Sequence, residues 1–271
     1  RQMCIRDRSW TVGVVLAPRF VPGLTLTIDY YEILIEDVIG SPSAQQILDN
    51  CYDASSLDNV FCPVIRRTPG TNFFSTSGPE FGLIQGGINF AKATARGVDF
   101  DAAYRRETGF GKLTARAFGS YVRNRNDFPF INDRSRPDKL LGEVGDARLQ
   151  ANFSLNLSTG PFDLGYQARY ISKQAVASVG LGGGVEDIST VGGRAPANAD
   201  FADSQFIRGI AYHDLRLGYE FSETLDVYLG IDNVMDTLPP SGLLGNGGVY
   251  AADAIWDNIG RYFYAGALVK F

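Results

Sequence analysis

Along this chain the apolar residues recur at every second position, segment after segment. In "HDLRLGYEF", Leu215, Leu217, Tyr219 and Phe221 fall on one face, and Asp214, Arg216, Gly218 and Glu220 on the other. After a short turn around Ser222-Glu223-Thr224, "LDVYLGIDN" repeats the pattern. There Leu225, Val227, Leu229 and Ile231 alternate with Asp226, Tyr228, Gly230 and Asp232. "RLQANFSLNLS" and "DLGYQARYIS" alternate in the same way around the turn "TGPF". Upstream, "RGVDFDAAYR" and "KLTARAFGSY" flank "ETGFG", and "WTVGVVLAPRF" and "LTLTIDYYEILIEDV" flank Pro22-Gly23. A period of two is the mark of a strand with unlike faces, and a tight turn between two such runs marks an antiparallel hairpin.

The pattern predicts nine strands, at roughly 9–20, 24–39, 83–106, 112–128, 147–159, 162–175, 207–221, 224–237 and 256–271. Several exceed the usual strand length of about five or six residues. Short turns alternate with long connections at 40–82, 129–146, 176–206 and 238–255, which a compact soluble domain rarely carries. Long strands with short turns on one side and long loops on the other fit an antiparallel transmembrane β-barrel. In a barrel one face meets lipid and must be apolar, and the other lines the lumen and tolerates charge. A soluble sandwich would bury the apolar faces in a shared core. The final run, "NIGRYFYAGALVKF", alternates as far as Phe271. Such an ending is expected of a strand that must pair to close a barrel and leave no edge.

Composition narrows the class. At 45% apolar and 12% aromatic the chain is not disordered. A net charge of −5 gives no electrostatic support for a nucleic-acid partner. No apolar run approaches the roughly 18 residues of a membrane helix. Residues 1–8, "RQMCIRDR", show no periodicity and read either as a leader, non-native or disordered, or as the end of a genuine loop, ahead of a domain spanning 9–271.

Three segments resemble the C-terminal part of the barrel of TonB-dependent outer-membrane receptors. "GRYFYAGALVKF" is similar to the family's closing strand and to the Phe-terminated assembly signal of outer-membrane barrels. Its candidate assembly residues are Gly260, Tyr262, Phe263, Tyr264, Gly266, Val269 and Phe271. "YLGIDNVMDTLPP" resembles the penultimate strand, with Asn233-Val234-Met235-Asp236 where the family has an Asn-Leu-Phe-Asp-like run. "INFAKATARGVDFDAAY" resembles a strand with an Asn and a later Gly-Val-Asp. Together the resemblance covers residues 9–271. It implies about nine strands of a barrel of about 22, with a plug and the segment that contacts TonB outside this stretch. It also implies an outer-membrane location, a lipid surround and active uptake of a small nutrient of the siderophore-iron, cobalamin or oligosaccharide class.

Few residues carry chemistry. Cys51 and Cys62 sit in the first long connection. In an exposed loop outside the cell they suit a disulfide that would stiffen the loop by about 3 kcal/mol, whereas in a reducing compartment they would be free thiols. With no His nearby they match no common zinc spacing, so neither metal nor cofactor is expected. "SPSAQQILDN" ahead of Cys51 predicts a short helix capped by Ser41 or Ser43. The single histidine, His213, has no nucleophile elbow to serve and reads as an interfacial residue near its strand's outer end. "GLGGGVEDISTVGGR" lacks the Gly-Lys-Ser/Thr ending of a phosphate loop, and with "LLGNGGVYAAD" reads as an outer loop. The charges Asp99, Asp101, Arg105, Arg116, Arg148, Arg169, Asp214, Arg216 and Glu220 are candidate lumen-facing residues. They would form a solvated, mutually paired wall or touch a plug or substrate. Trp10, Tyr30, Tyr31, Tyr121, Tyr170, Tyr262 and Phe263 suit interfacial girdles. Phe73, Phe74 and Phe81 are loop aromatics with no assigned role. No catalytic constellation is present, so the chain is not expected to be an enzyme. The competing readings are a passive porin-like channel and a soluble all-β protein.

Overall fold

In a computed structural model of the chain, described over residues 5–67, 82–128, 137–175, 206–239 and 255–270, strands dominate. β1 (Arg6–Leu16) and β2 (Leu24–Gly40) precede helix α1 (Ala44–Tyr52) and a 3-10 turn at Cys62–Val64. Next come β3 (Ile88–Thr108), β4 (Gly111–Phe128), the two-residue β5 (Asp138–Lys139), β6 (Leu149–Thr159) and β7 (Phe162–Ile171). The two-residue β8 (Gln174–Ala175) and β9 (Phe206–Ile207) precede β10 (Ile210–Ser222), β11 (Leu225–Asp232) and β12 (Tyr262–Val269). Nine strands form one sheet in the order β1-β2-β3-β4-β6-β7-β10-β11-β12, with β5 paired to β4. β8 and β9 pair separately.

The nine strands are those the alternation predicts, with shifted ends. β1 begins at Arg6, so Arg6, Asp7 and Arg8 are strand rather than disordered leader, and the Arg6 guanidinium donates to Asp37 at 2.9 and 3.0 Å. It stops before Pro18, which has no N–H to give a ladder. β11 ends at Asp232, five residues early, because Asn233 takes a φ of +49° that breaks the pleat. β12 runs from 262 to 269 rather than from 256 to 271. Gly260, at φ +75°, therefore precedes β12 rather than belonging to it. The predicted turn "TGPF" closes on Gly160 at φ +54°.

The described residues divide into two compact units. The first comprises 1–10, 32–95 and 124–139. It contains a small core in which Ile47, Cys51 and Phe61 are at most 2% exposed, with Val64, Ile65 and Leu83 packed against them. Helix α1 forms because Ser43 caps it. The Ser43 hydroxyl accepts from Gln46 N at 3.2 Å while the Gln46 side chain accepts from Ser43 N at 2.9 Å. Ile47 and Cys51, four residues apart, then share its inward face. Ile65 bridges to Leu83, and Ile84 N donates to Val64 O at 3.0 Å.

The second unit comprises 11–31, 96–123 and 140–271. Its register sorts the side chains by face. Arg116, Ser154, Gln167 and Asp214 are successive cross-strand partners. So are Thr114, Asn156, Gly165, Arg216, Gly230 and Tyr264. On the opposite face Ala115, Leu155, Tyr166, Leu215, Ile231 and Phe263 follow one another in the same way. Ala115, Leu155, Tyr166 and Ile231 are half-buried, while exposure on this face reaches 43% at Leu215, 57% at Leu229 and 65% at Phe263. The buried cluster of this unit lies at one end of the strands. It gathers Ala147, Ile171, Ile207, Ile210, Tyr212 and Trp256.

Candidate functional site

The polar face of β3, β4, β6, β7 and β10–β12 collects most of the candidate charges. Arg116 Nε donates to the Asp101 carboxylate at 3.1 Å, and Asp99 and Arg105 lie on the same alternation of β3 as Asp101. The Arg169 guanidinium sits over the Tyr212 ring at 4.8 Å, and that of Arg216 over the Tyr228 ring at 4.6 Å. Asp214 Oδ1 accepts from Asn233 N at 2.8 Å. Glu220 is the register partner of Asp226, a like-charge pairing that costs stability on its own. Lys270 offsets it, with its ammonium 2.9 Å from Asp226 Oδ2. That hydrogen bond and the Asp226 charge hold the Lys270 ammonium above its usual range, and Glu220 adds to the effect. Arg148 lies just outside β6, its carbonyl accepting from Val122 N at 2.8 Å. Arg116 and Lys270 thus pair with carboxylates, and Arg169 and Arg216 with aromatic rings, across the strands.

The terminal residues divide between the faces. Tyr262, Tyr264 and Gly266 partner Asp232, Gly230 and Tyr228 on the polar side, while Phe263 and Val269 partner Ile231 and Leu225 on the apolar side. Phe271 lies outside the described residues, as do Phe73, Phe74, Phe81, the stretch 180–194 and "LLGNGGVYAAD". His213 falls on the apolar face opposite Ala168, near the start of β10. Its Nδ1 is 2.7 Å from the Tyr166 hydroxyl, and the two rings stack at 6.0 Å. Phe162, Tyr219 and Phe221 form an edge-on aromatic group at the other end of this face, with centroids 5.0 and 4.7 Å apart. Cys51 and Cys62 are bonded to each other, with their Cα atoms 5.0 Å apart. Among the described residues no group of three or more His, Cys, Asp or Glu is placed to hold a metal.

The role of Asn233 is absent from the residue pattern. It is 0% exposed. Its side chain closes a ring on Thr237, donating from Nδ2 to the carbonyl at 2.9 Å and accepting from the amide at 2.8 Å. Its carbonyl takes Asp236 N at 2.8 Å, and Asp236 Oδ1 takes Arg261 N at 3.0 Å. The run Asn233-Val234-Met235-Asp236 is thus a turn that ties the end of β11 to the approach of β12. The Asn and Asp at its ends do the tying, so the change of its two middle residues leaves the device intact.

Comparison with known proteins fits this geometry. The family model described as "TonB dependent receptor-like, beta-barrel" matches residues 6–234, and the chain belongs to that family. Comparison with curated protein sequences finds no match. Among solved structures, a mutant ferric enterobactin receptor PfeA from Pseudomonas aeruginosa, in complex with enterobactin, aligns at a TM-score of 0.59 and 18% identity. The alignment covers 98% of this chain and 32% of that one. An FrpB iron transporter from Neisseria meningitidis gives 0.54 and 18%, covering 98% and 31%. The copper transporter OprC gives 0.53 and 17%, also covering 98% and 31%. The chain therefore spans about a third of the length of these structural relatives. The fold is the all-β antiparallel barrel fold of a receptor family, and that family is not one of enzymes.

Proposed function

We propose that this chain forms wall strands of an outer-membrane receptor that takes up a scarce nutrient with energy delivered through TonB. The observation that carries the proposal is the unlike treatment of the two faces of one sheet. Apolar residues such as Leu229 and Phe263 stand uncovered, and on the opposite face Arg116 pairs with Asp101 and Arg216 lies over the Tyr228 ring. Uncovered apolar rows suit lipid, and a paired polar wall suits a water-filled or plugged lumen. Outer-membrane lipid, a plug and the remaining barrel strands, TonB and a small ligand are then the partners. The nutrient class is iron bound to a siderophore, with cobalamin or an oligosaccharide as competitors. The structural relatives include an iron transporter, a copper transporter and a ferric enterobactin receptor, which supports the metal-uptake end of this range.

The test uses cells making the full-length receptor that carries this chain. Uptake of labelled ferric siderophores is compared in strains with and without TonB. The proposal expects uptake that disappears without TonB and a closed protein in planar bilayers. Uptake indifferent to TonB, together with steady open conductance, would replace it with a passive channel.

A further inference from the structure

We infer that two reciprocal tyrosine–glycine seats set the register of the terminal hairpin β11–β12, a task that the apolar–polar alternation cannot complete. Tyr228 is the register partner of Gly266, and Tyr264 is the register partner of Gly230. Each ring lies over the glycine opposite: a Cβ added at Gly266 would run into the Tyr228 ring, and one at Gly230 into the Tyr264 ring. The two rings meet edge to face at 6.2 Å, Tyr262 stacks on Tyr264 at 6.2 Å, and Arg216 covers Tyr228. The neighbouring strand continues the pattern, since Gly218 partners Tyr228 and Arg216 partners Gly230. Large and absent side chains therefore form a checkerboard across three strands of the polar face.

The checkerboard excludes errors that alternation permits. A slip of one residue swaps the faces and sends Phe263 and Leu229 to the polar side, which the surroundings forbid. A slip of two keeps every residue on its face, so hydrophobicity is indifferent to it. Counted from the observed register, one such slip sets Tyr228 directly against Tyr264. The other sets Gly230 against Gly266 and Tyr228 against Leu268. The first leaves Gly266 against Asp226 with no ring over it, and the second leaves two glycines facing each other with no ring directly opposite either. Aromatic cover of a cross-strand glycine occurs only in the observed register for both pairs at once.

The experiment inverts the checkerboard at constant composition in the full-length receptor. One variant exchanges the residues of β11 alone (Tyr228→Gly with Gly230→Tyr), a second those of β12 alone (Tyr264→Gly with Gly266→Tyr), and a third combines all four. Register is read by disulfide trapping between Leu229→Cys and Ala265→Cys for the native pairing. Phe263→Cys or Ala267→Cys replaces the second cysteine for the slipped pairings. Assembly is read from the heat-modifiable folded band in outer membranes. Each single-strand exchange should lower the folded fraction about threefold and shift trapping to a slipped pair. The fourfold exchange, which restores both seats, should recover folding and native trapping. If the single-strand exchanges keep native trapping and full folding, or if the fourfold variant fares no better than they do, the inference is wrong.

Discussion

Ile47, Cys51 and Phe61 are hidden from solvent, whereas Leu215, Leu217, Leu229 and Phe263 on the long strands stand in the open. Ile47 and Phe61 are each 1% exposed, and Leu229 and Phe263 are 57% and 65% exposed. The chain uses the same residue types in both places, so the difference lies in the medium each region is built for. The helix-and-turn segment makes a water-type core, closed by a capping box and a disulfide. The strands instead present a continuous apolar surface. In water such a surface would be an aggregation site, and in a bilayer it is the stable arrangement.

Substitutions should separate the two regions. Phe61→Ala should cost the disulfide-bonded segment about 4 kcal/mol, since the ring fills its core. Hydrogen exchange at the amides of α1 would rise, with the heat-modifiable barrel band unchanged. Leu229→Arg should do the reverse, costing assembly about 3 kcal/mol on the apolar face. Asn156→Arg, on the polar face, should leave the folded band intact. Replacing Cys51 with Ser should release about 3 kcal/mol of chain constraint, and limited proteolysis would then cut near residues 52–61. Asn233→Ala removes both hydrogen bonds to Thr237 and places Ala at positive φ. A loss of about 2 kcal/mol is expected in thermal unfolding, against almost none for Met235→Ala at its exposed site. Asp101→Ala breaks a largely exposed pair with Arg116 and should shift the same melt by about 0.5 kcal/mol or less.

The number and order of the long strands were legible because period two survives every turn in the chain. Strand ends were less so. Nothing in the alternation signals that Asn233 adopts positive φ, or that Trp256 is drawn into a buried cluster with Tyr212 before β12 starts. The facing of Arg116, Asp214 and Arg216 was also legible, because parity alone decides it. Pairings such as Arg116 with Asp101 or Arg216 over Tyr228 needed the register, which depends on residues far apart in sequence. The tyrosine–glycine seats are the clearest case. Each strand alone shows only a Tyr and a Gly two residues apart, and the relation exists only when the two are aligned.

The central claim is that the apolar face of the strands meets lipid. It is tested most directly by spin labels placed singly at Asp214, Leu215, Arg216 and Leu217 of the full-length receptor in bilayers. If that face meets lipid, dissolved oxygen relaxes the labels at 215 and 217, and a water-soluble nickel chelate relaxes those at 214 and 216. Labels at 215 and 217 shielded from both agents, as in a sandwich core, or open to the chelate, would contradict it.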